Sequence, residues 1–561
     1  MICSVYKGQL ALYDCFSHKD VLKDEYGAKW DAKEKAWLIP FNLENVKKIR
    51  DAFQPKFNEN VVVSFKNKKK CIEFKEKVAN GTYQPSRQFH DLINVTLMQH
   101  QILSANFACD IFENGGSGVM FSMEMGTGKT LSAMTVVGQM KPKKVLIVCP
   151  KVAMKVWRDE YEKFSKYEYM LRVLTGTPKK RIQAMNELIA NEDGLSIAVI
   201  NYEYTTAFEN ILTKWQPDMI ICDESHKIKS PSSNQTKSII KIGKTAKYKL
   251  CLTGTPLTNN ILDFFSQYKF LDSSIFGESF TNYKAKYVIT GMFNEYLRPN
   301  PRTFNDLRQK VDSIAYRVTK EECLDLPPFV DIPVYVEMNK DAALKYKQFE
   351  DEFIVWLDNQ TFITADNALT QTLKLRQLTG GFCYNEEQMP VFVDNSKLEA
   401  CSELIGEIIS AGKKVVIFAE FQAEIKALKE MCDKLGVKSG TYYGATKEQD
   451  RNALVDGFQN GDIQVFIGQI ESAGISITLT SANYMIFYST GYKYGVYDQA
   501  RARIHRKGQI NKCTYYHLTV KNTIDEKILK SLNKKEKLAQ SIIDSYRRKW
   551  WEKTTQKSLK R

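Results

Sequence analysis

Seven residues, E-M-G-T-G-K-T at 124–130, have the composition needed to hold a phosphate. A glycine-rich turn between a strand and a helix points successive backbone N–H groups at an anion, and the helix N-terminus adds its positive dipole end. In such a turn Lys129 reaches the β- and γ-phosphates and the Thr130 hydroxyl ligates magnesium. The strict pattern G-x-x-x-x-G-K-[ST] is not met, because Met123 occupies its first glycine position. Further on, M-I-I-C-D-E-S-H places Asp223 and Glu224 just past an apolar run. Parallel sheets bind ligands at their strand C-terminal ends, where Asp223 could hold magnesium and Glu224 could orient and deprotonate an attacking water. Alone, such a pair also reads as an acidic strand-end turn. Finally, Q-A-R-A-R-I-H-R-K-G-Q (499–509) is expected to form one helix in which Arg503 and Arg506, three apart, share a face. There they could neutralise charge developing on a γ-phosphate, or belong to a solvated basic helix.

The elements that must position these groups follow from hydrophobic patterning. From Val119 onward, short apolar runs alternate with amphipathic stretches, the pattern of a parallel sheet covered by helices. The runs 119–122, 145–150, 197–200, 219–222 and 249–252 predict the buried strands of a first unit. A second begins near Ser396, where S-K-L-E has capping-box spacing, and continues with runs at 415–418, 463–467, 484–488 and 514–518 and a helix closed by Gly436. Between them, roughly 260–395 reads as mostly helical insertion.

The 561 residues carry 80 Lys and Arg against 65 Asp and Glu, a net +15 that draws polyanions. A hydrophobic content of 43% excludes a disordered chain. No apolar run approaches the roughly 18 residues that span a bilayer, so no membrane partner is expected. The 12 cysteines include no C-x-x-C pair to grip zinc, and a reducing intracellular compartment is expected.

The ordered motifs resemble helicase superfamily two and, within it, the Swi/Snf family of DNA-translocating ATPases. The matching pieces are L-M-Q-H-Q, E-M-G-T-G-K-T, D-E-S-H, L-T-G-T-P-L-T-N (252–259), K-E-E-C-L-D-L-P-P (320–328), L-R-Q-L (375–378), S-K-L (396–398), V-V-I-F (415–418) and Q-A-R-A-R-I-H-R-K-G-Q. They fall in the family's order over roughly residues 95–525. The resemblance implies an α/β fold of two RecA-like parallel-sheet lobes with helical insertions. It also implies ATP and Mg2+ as cofactors and double-stranded or forked DNA as partner, with a strand-separating helicase or a non-hydrolysing, ATP-responsive DNA-binding scaffold as the alternative readings. Gln101 would read adenine, Gly126, Thr127, Gly128, Lys129 and Thr130 would hold phosphates, and Thr130 and Asp223 would hold magnesium. Glu224 would drive hydrolysis, Arg503 and Arg506 would complete the site from the second lobe, and Thr253 and Thr255 would couple nucleotide state to DNA grip. The stretch S-A-G-I-S-I-T-L-T keeps Gly474, also a nucleotide-site residue by resemblance, but has Ala473 and Ser476 at usual glycine positions and Thr478 for the usual asparagine. The W-N-P that often follows is Y-K-Y (492–494).

The expected organisation is a small module (1–56), a basic linker (57–90), an ATP-binding lobe (91–272), insertions and linker (273–394), a second lobe (395–530) and a basic tail (531–561). Trp30 and Trp37 flank a polar turn at hairpin spacing beside Lys29, Lys33 and Lys35, and the module resembles the HARP-type modules of annealing helicases. Its tryptophans either stack on unpaired bases or form its core. Lysines 66–70 suit phosphate contact or a solvated linker. A monomer in a bacterial or viral host cytoplasm is expected, with a nuclear setting left open.

Overall fold

Strands that are apolar on both faces stay dry only in a parallel sheet with helices on either side, and both large sheets of this chain have that form. The computed structural model describes residues 1–6, 9–40, 43–59, 61–62, 65, 73, 77, 82–192, 194–258, 260–291, 296–359, 365–385, 387–473 and 477–543. Lysines 66–70, Gly474, Ser476 and the tail beyond residue 543 lie outside them. Two compact units divide the chain between Thr319 and Lys320.

The first unit opens with a mixed sheet of β1 (Ile2–Tyr6), β2 (Gln9–Tyr13), β3 (Lys29–Asp31), β4 (Ala36–Pro40) and β5 (Lys56–Phe57), in the order β3-β4-β2-β1-β5. The expected tryptophan hairpin forms, with Trp30 directly opposite Trp37. The Asp31 carboxylate accepts from the Lys33 and Glu34 amides and fixes the turn. Farther on, residues 82–90 are tied down: Tyr83 donates to Asp110, and Arg87 pairs with Asp110 and Glu113 on the helix Gln99–Glu113.

The larger sheet of this unit holds β6 (Gly118–Met123), β7 (Lys144–Cys149), β8 (Met170–Val173), β9 (Ser196–Asn201), β10 (Met219–Asp223) and β11 (Tyr248–Thr253). After a hairpin of β12 (Val288–Thr290) and β13 (Tyr296–Pro299), β14 (Ala315–Val318) joins it, giving the all-parallel order β14-β6-β11-β10-β7-β9-β8. Strands β6 and β9 are buried along their whole length.

The second unit contains β15 (Phe329–Val336), a hairpin of β16 (Phe382–Tyr384) and β17 (Pro390–Phe392), then β18 (Val415–Ala419), β19 (Ser439–Tyr442), β20 (Val465–Gln469), β21 (Tyr484–Phe487) and β22 (Cys513–Val520). Its parallel order is β15-β22-β21-β18-β20-β19. Alternate residues of β18 feed two cores, Val416 and Phe418 on one face, Val415, Ile417 and Ala419 on the other. That division is the period of two expected of a strand covered on both sides.

The segment expected to be mostly helical insertion also supplies one edge strand to each sheet, β14 and β15. Edge positions tolerate Arg317 in the first, and Asp331 and Pro333 in the second, which masked their strand character. The S-K-L-E capping box does not form. Asn395 is the N-cap of Ser396–Ser410, and the Ser396 hydroxyl donates instead to Asp394.

Candidate nucleotide-binding site

Residues 124–128 link β6 to the helix Lys129–Met140, as the local sequence predicts. Gly126 and Gly128 adopt φ of +86° and +84°, the left-handed region that glycine enters without a Cβ clash. At Gly128 there is no room for another residue either, since a Cβ would lie 2.0 Å from Gln101 Nε2. Gln101 reaches this place from the first turn of Gln99–Glu113. Its Oε1 accepts from the Met98 amide, and its Nε2 donates to the Thr127 carbonyl at 3.3 Å. His100 Nε2 meets the same carbonyl at 2.7 Å. Ser104 bonds Ser132 across the two helices and fixes their register. The Lys129 ammonium donates to the Met123 and Glu124 carbonyls at 3.0 and 3.3 Å, closing the loop from within. Thr130 follows on the first turn of the same helix.

Asp223 ends β10, and Glu224 turns away from it in the left-handed region with φ +52°. Trp157 Nε1 donates to Asp223 Oδ2 at 2.9 Å, Tyr202 OH donates to the Asp223 carbonyl at 2.7 Å, and the Glu224 amide donates to Oδ1 at 3.0 Å. Burial, then the charge of Glu224, push the Asp223 carboxyl above its ordinary value, and the Trp157 bond and Lys129 charge oppose them. His226 Nδ1 lies 3.3 Å from Glu224 Oε2.

Strand β11, the last of these three in sequence, lies between β6 and β10. Its Thr253 is level with Ser122 of β6, and Leu252 is level with Asp223 of β10. The turn after β11 therefore sits between the phosphate loop and the acidic pair, with their strands about 10 Å apart. Thr253 Oγ1 accepts from the Thr255 amide at 3.1 Å, and a Cβ on Gly254 would meet the Met125 amide nitrogen at 3.3 Å. Lys129, Thr130, Asp223, Glu224, Thr253 and Thr255 thus belong to one end of one sheet. Trp157 and Tyr202 join them from outside the motifs, with no signal in the sequence beyond their aromatic character, and His100 joins them from within L-M-Q-H-Q.

In the second unit the arginine motif departs from expectation. The helix is Tyr494–Arg501, and Arg503 and Arg506 follow it in turns instead of sharing a helical face. Arg501, the last residue of the helix, is held by Asp331 at 3.1 Å and Glu536 at 3.3 Å and lies over the rings of Phe329, Tyr497 and Tyr515. Arg503 is 1% exposed and donates to the Gln499 and Ile477 carbonyls at 3.0 and 3.1 Å. Arg506 donates to that same Ile477 carbonyl at 3.4 Å, and its burial pulls the guanidinium below its ordinary value. The two side chains still converge, through one carbonyl. Gly474 lies outside the described residues.

No helix among the described residues is long and apolar enough to cross a membrane. A family model described as SNF2-related domain matches residues 100–383, just over half of the chain, and one described as helicase conserved C-terminal domain matches residues 396–508. An uncharacterized ATP-dependent helicase of Mycoplasma pneumoniae is 27% identical over 439 residues, 77% of this chain and 40% of that protein. The SWI/SNF-related matrix-associated actin-dependent regulator of chromatin subfamily A member 1 of Mus musculus is 26% identical over 478 residues, 80% of this chain and 44% of that protein. A solved structure, the Sulfolobus solfataricus SWI2/SNF2 ATPase core in complex with dsDNA, is 25% identical, covers 84% of this chain and 96% of that chain, and superposes with a TM-score of 0.41. The chain spans about two fifths of the length of these curated relatives. With a phosphate loop and an acidic strand end in one parallel sheet and a second, loop-less parallel sheet behind them in sequence, the chain belongs to the SNF2-related helicase family.

Proposed function

We propose that the chain is a DNA-dependent ATPase that uses Mg-ATP hydrolysis to translocate on double-stranded DNA. The observation that carries this reading is the meeting of Lys129, Asp223 and Glu224 at one end of the first parallel sheet. Gly126, Thr127 and Gly128 present amides to the phosphates, Lys129 exchanges its loop carbonyls for phosphate oxygens, and Gln101 is seated to read the base. Glu224 orients and deprotonates the attacking water, and Arg503 and Arg506 are the residues that the family resemblance assigns to the γ-phosphate. Thr130 and Asp223 would hold magnesium, and the donor set fits, because a carboxyl pushed up by burial and a neighbouring carboxylate is one that a divalent cation relieves. When bound, that cation neutralises phosphate charge.

DNA is the polyanion that suits the chain's net +15, gripped through phosphates and without base readout. In this reading residues 91–272 form the ATP-binding lobe and 395–530 the second lobe, extended by β14 and β15. A second reading, fork remodelling or annealing, is favoured by Trp30, which is 50% exposed beside exposed Lys29, Lys33 and Lys35.

The test is ATP turnover with and without duplex DNA. Duplex DNA is expected to stimulate turnover, and Lys129→Ala to abolish it; substantial DNA-stimulated hydrolysis by that variant would overturn the site. Triplex displacement beside fork annealing and strand separation then distinguishes translocase from fork enzyme and helicase.

A further inference from the structure

Between the acidic turn and the turn after β11 lies a buried amide that no motif contains. Gln267 sits on the helix Asp263–Asp272 and is fully buried. Its Nε2 donates to the Pro256 carbonyl at 3.0 Å and the Asp263 carbonyl at 2.8 Å. Only the amino end of the amide can give two bonds to carbonyls, so its Oε1 is committed to the third partner, the Ser225 hydroxyl, which donates to it at 2.8 Å. Ser225 directly follows Glu224 and is itself fully buried. The amide therefore joins the residue after Glu224 to the proline of L-T-G-T-P.

A second tie runs parallel to the first. Lys229, four residues beyond Ser225, donates to Thr258 Oγ1. The amide and hydroxyl of Thr258 both donate to Asp263 Oδ2 at 2.9 Å. Residues 256–258 are thus bound at two points to the segment 225–229, and both ties are anchored on one helix. On the other side, Gly254 lies against the phosphate loop at Met125.

We propose that Gln267 is a positioning residue for hydrolysis: through Ser225 it sets where Glu224 stands, and through Pro256 it makes that placement follow the turn between the phosphate loop and the acidic pair. This rests on the reading above, in which Glu224 acts on ATP. A displacement of the Thr253–Thr258 turn pulls on Glu224 through a buried amide whose two ends are both hydrogen-bonded, and breaking either end leaves a buried polar atom short of a bond. The predicted consequence is selective. Nucleotide binding depends on residues 124–130 and Gln101, whereas the hydrogen bonds of Gln267 go to Ser225, Pro256 and Asp263. Turnover depends on Glu224, which it does position.

The experiment compares the full chain with Gln267→Leu, Ser225→Ala and the double variant. It measures kcat and KM for ATP at saturating duplex DNA, and the Kd of a fluorescent ATP analogue. Losing a buried bond of this kind is expected to lower kcat about tenfold in Gln267→Leu, with KM and Kd within about twofold of the parent. Ser225→Ala should show a comparable fall, and the double variant should be no worse than Gln267→Leu, because both substitutions break one tie. An unchanged kcat, a KM that rises as far as kcat falls, or losses that multiply in the double variant would each overturn the proposal. Should Gln267→Leu fail to fold, Ser225→Ala decides alone, since it removes one hydroxyl. A parent chain that turns over no ATP at any DNA concentration overturns the ATPase reading instead.

Discussion

Glu424 shows how a single buried side chain can hold a motif in place and make stability depend on pH. It is fully buried, and its Oε2 accepts from the Glu420 and Phe421 amides and the Ser489 hydroxyl, locking the end of β18 to the end of β21. Burial outweighs these bonds and pushes its carboxyl from 4.5 up to about 7. The folded chain therefore holds a proton that the unfolded chain releases at lower pH, and stability falls as pH rises from 4.5 to about 7. Glu424→Gln, which keeps an acceptor oxygen and cannot ionise, is expected to remove that fall, leaving the variant more stable at pH 8 by on the order of 3 kcal/mol. Melting curves between pH 5 and 8 that decline in parallel for variant and parent would refute this.

The phosphate loop is best understood as an element, because its shape comes from its own glycines and two neighbours at once. The loop takes its left-handed turns from Gly126 and Gly128, its seat from the helix Gln99–Glu113, and its flank from the turn after β11. Gly128→Ala combines a Cβ in the left-handed region, which disfavours the turn by roughly 1–2 kcal/mol, with a collision against the Gln101 amide. Nucleotide affinity is expected to drop at least about tenfold, an effect of roughly 1.4 kcal/mol, in a titration with a fluorescent ATP analogue. Affinity equal to the parent's would mean that Gln101 does not shape the site. The loop itself was legible because strand, glycine turn and helix are adjacent in sequence. The arginine motif was less so. Spacing alone suggested a continuous helix through Arg506, whereas the helix stops at Arg501, whose side chain is anchored by Asp331, Glu536 and three rings distant in sequence.

At the scale of the whole molecule, charge is distributed unevenly. Residues 527–561 hold twelve Lys and Arg against Glu536, Asp544 and Glu552, a net +9 of the chain's +15. The remaining 526 residues carry only +6. In the proposed function the residues beyond 543, which hold seven of those twelve, add a further phosphate contact. A chain ending at residue 543 is expected to bind duplex DNA several-fold more weakly, with a shallower dependence of affinity on salt because fewer counterions are released. Its turnover at saturating DNA should stay near the parent's. Anisotropy titrations at several salt concentrations check this, and an unchanged salt slope would exclude the tail from the contact.

What the sequence determined by itself is whatever depends on neighbours along the chain. The buried strands announced themselves as apolar runs, the phosphate loop as glycines between a strand and a helix, the tryptophan hairpin as two rings across a polar turn, and the family as motifs in order. Short strands with edge character escaped, because Arg172 in β8, Arg317 in β14 and Pro333 in β15 break the apolar pattern that a central strand must keep. The tertiary structure alone decided that β11 lies between β6 and β10, which puts Thr253 beside both the loop and the acidic pair. It alone placed Trp157 on Asp223 and Gln267 on Ser225. Those contacts join residues 66 and 42 positions apart, brought together by how crossover helices pack on a twisted sheet. No local periodicity encodes such a meeting, because it is a property of the whole sheet and its covering helices.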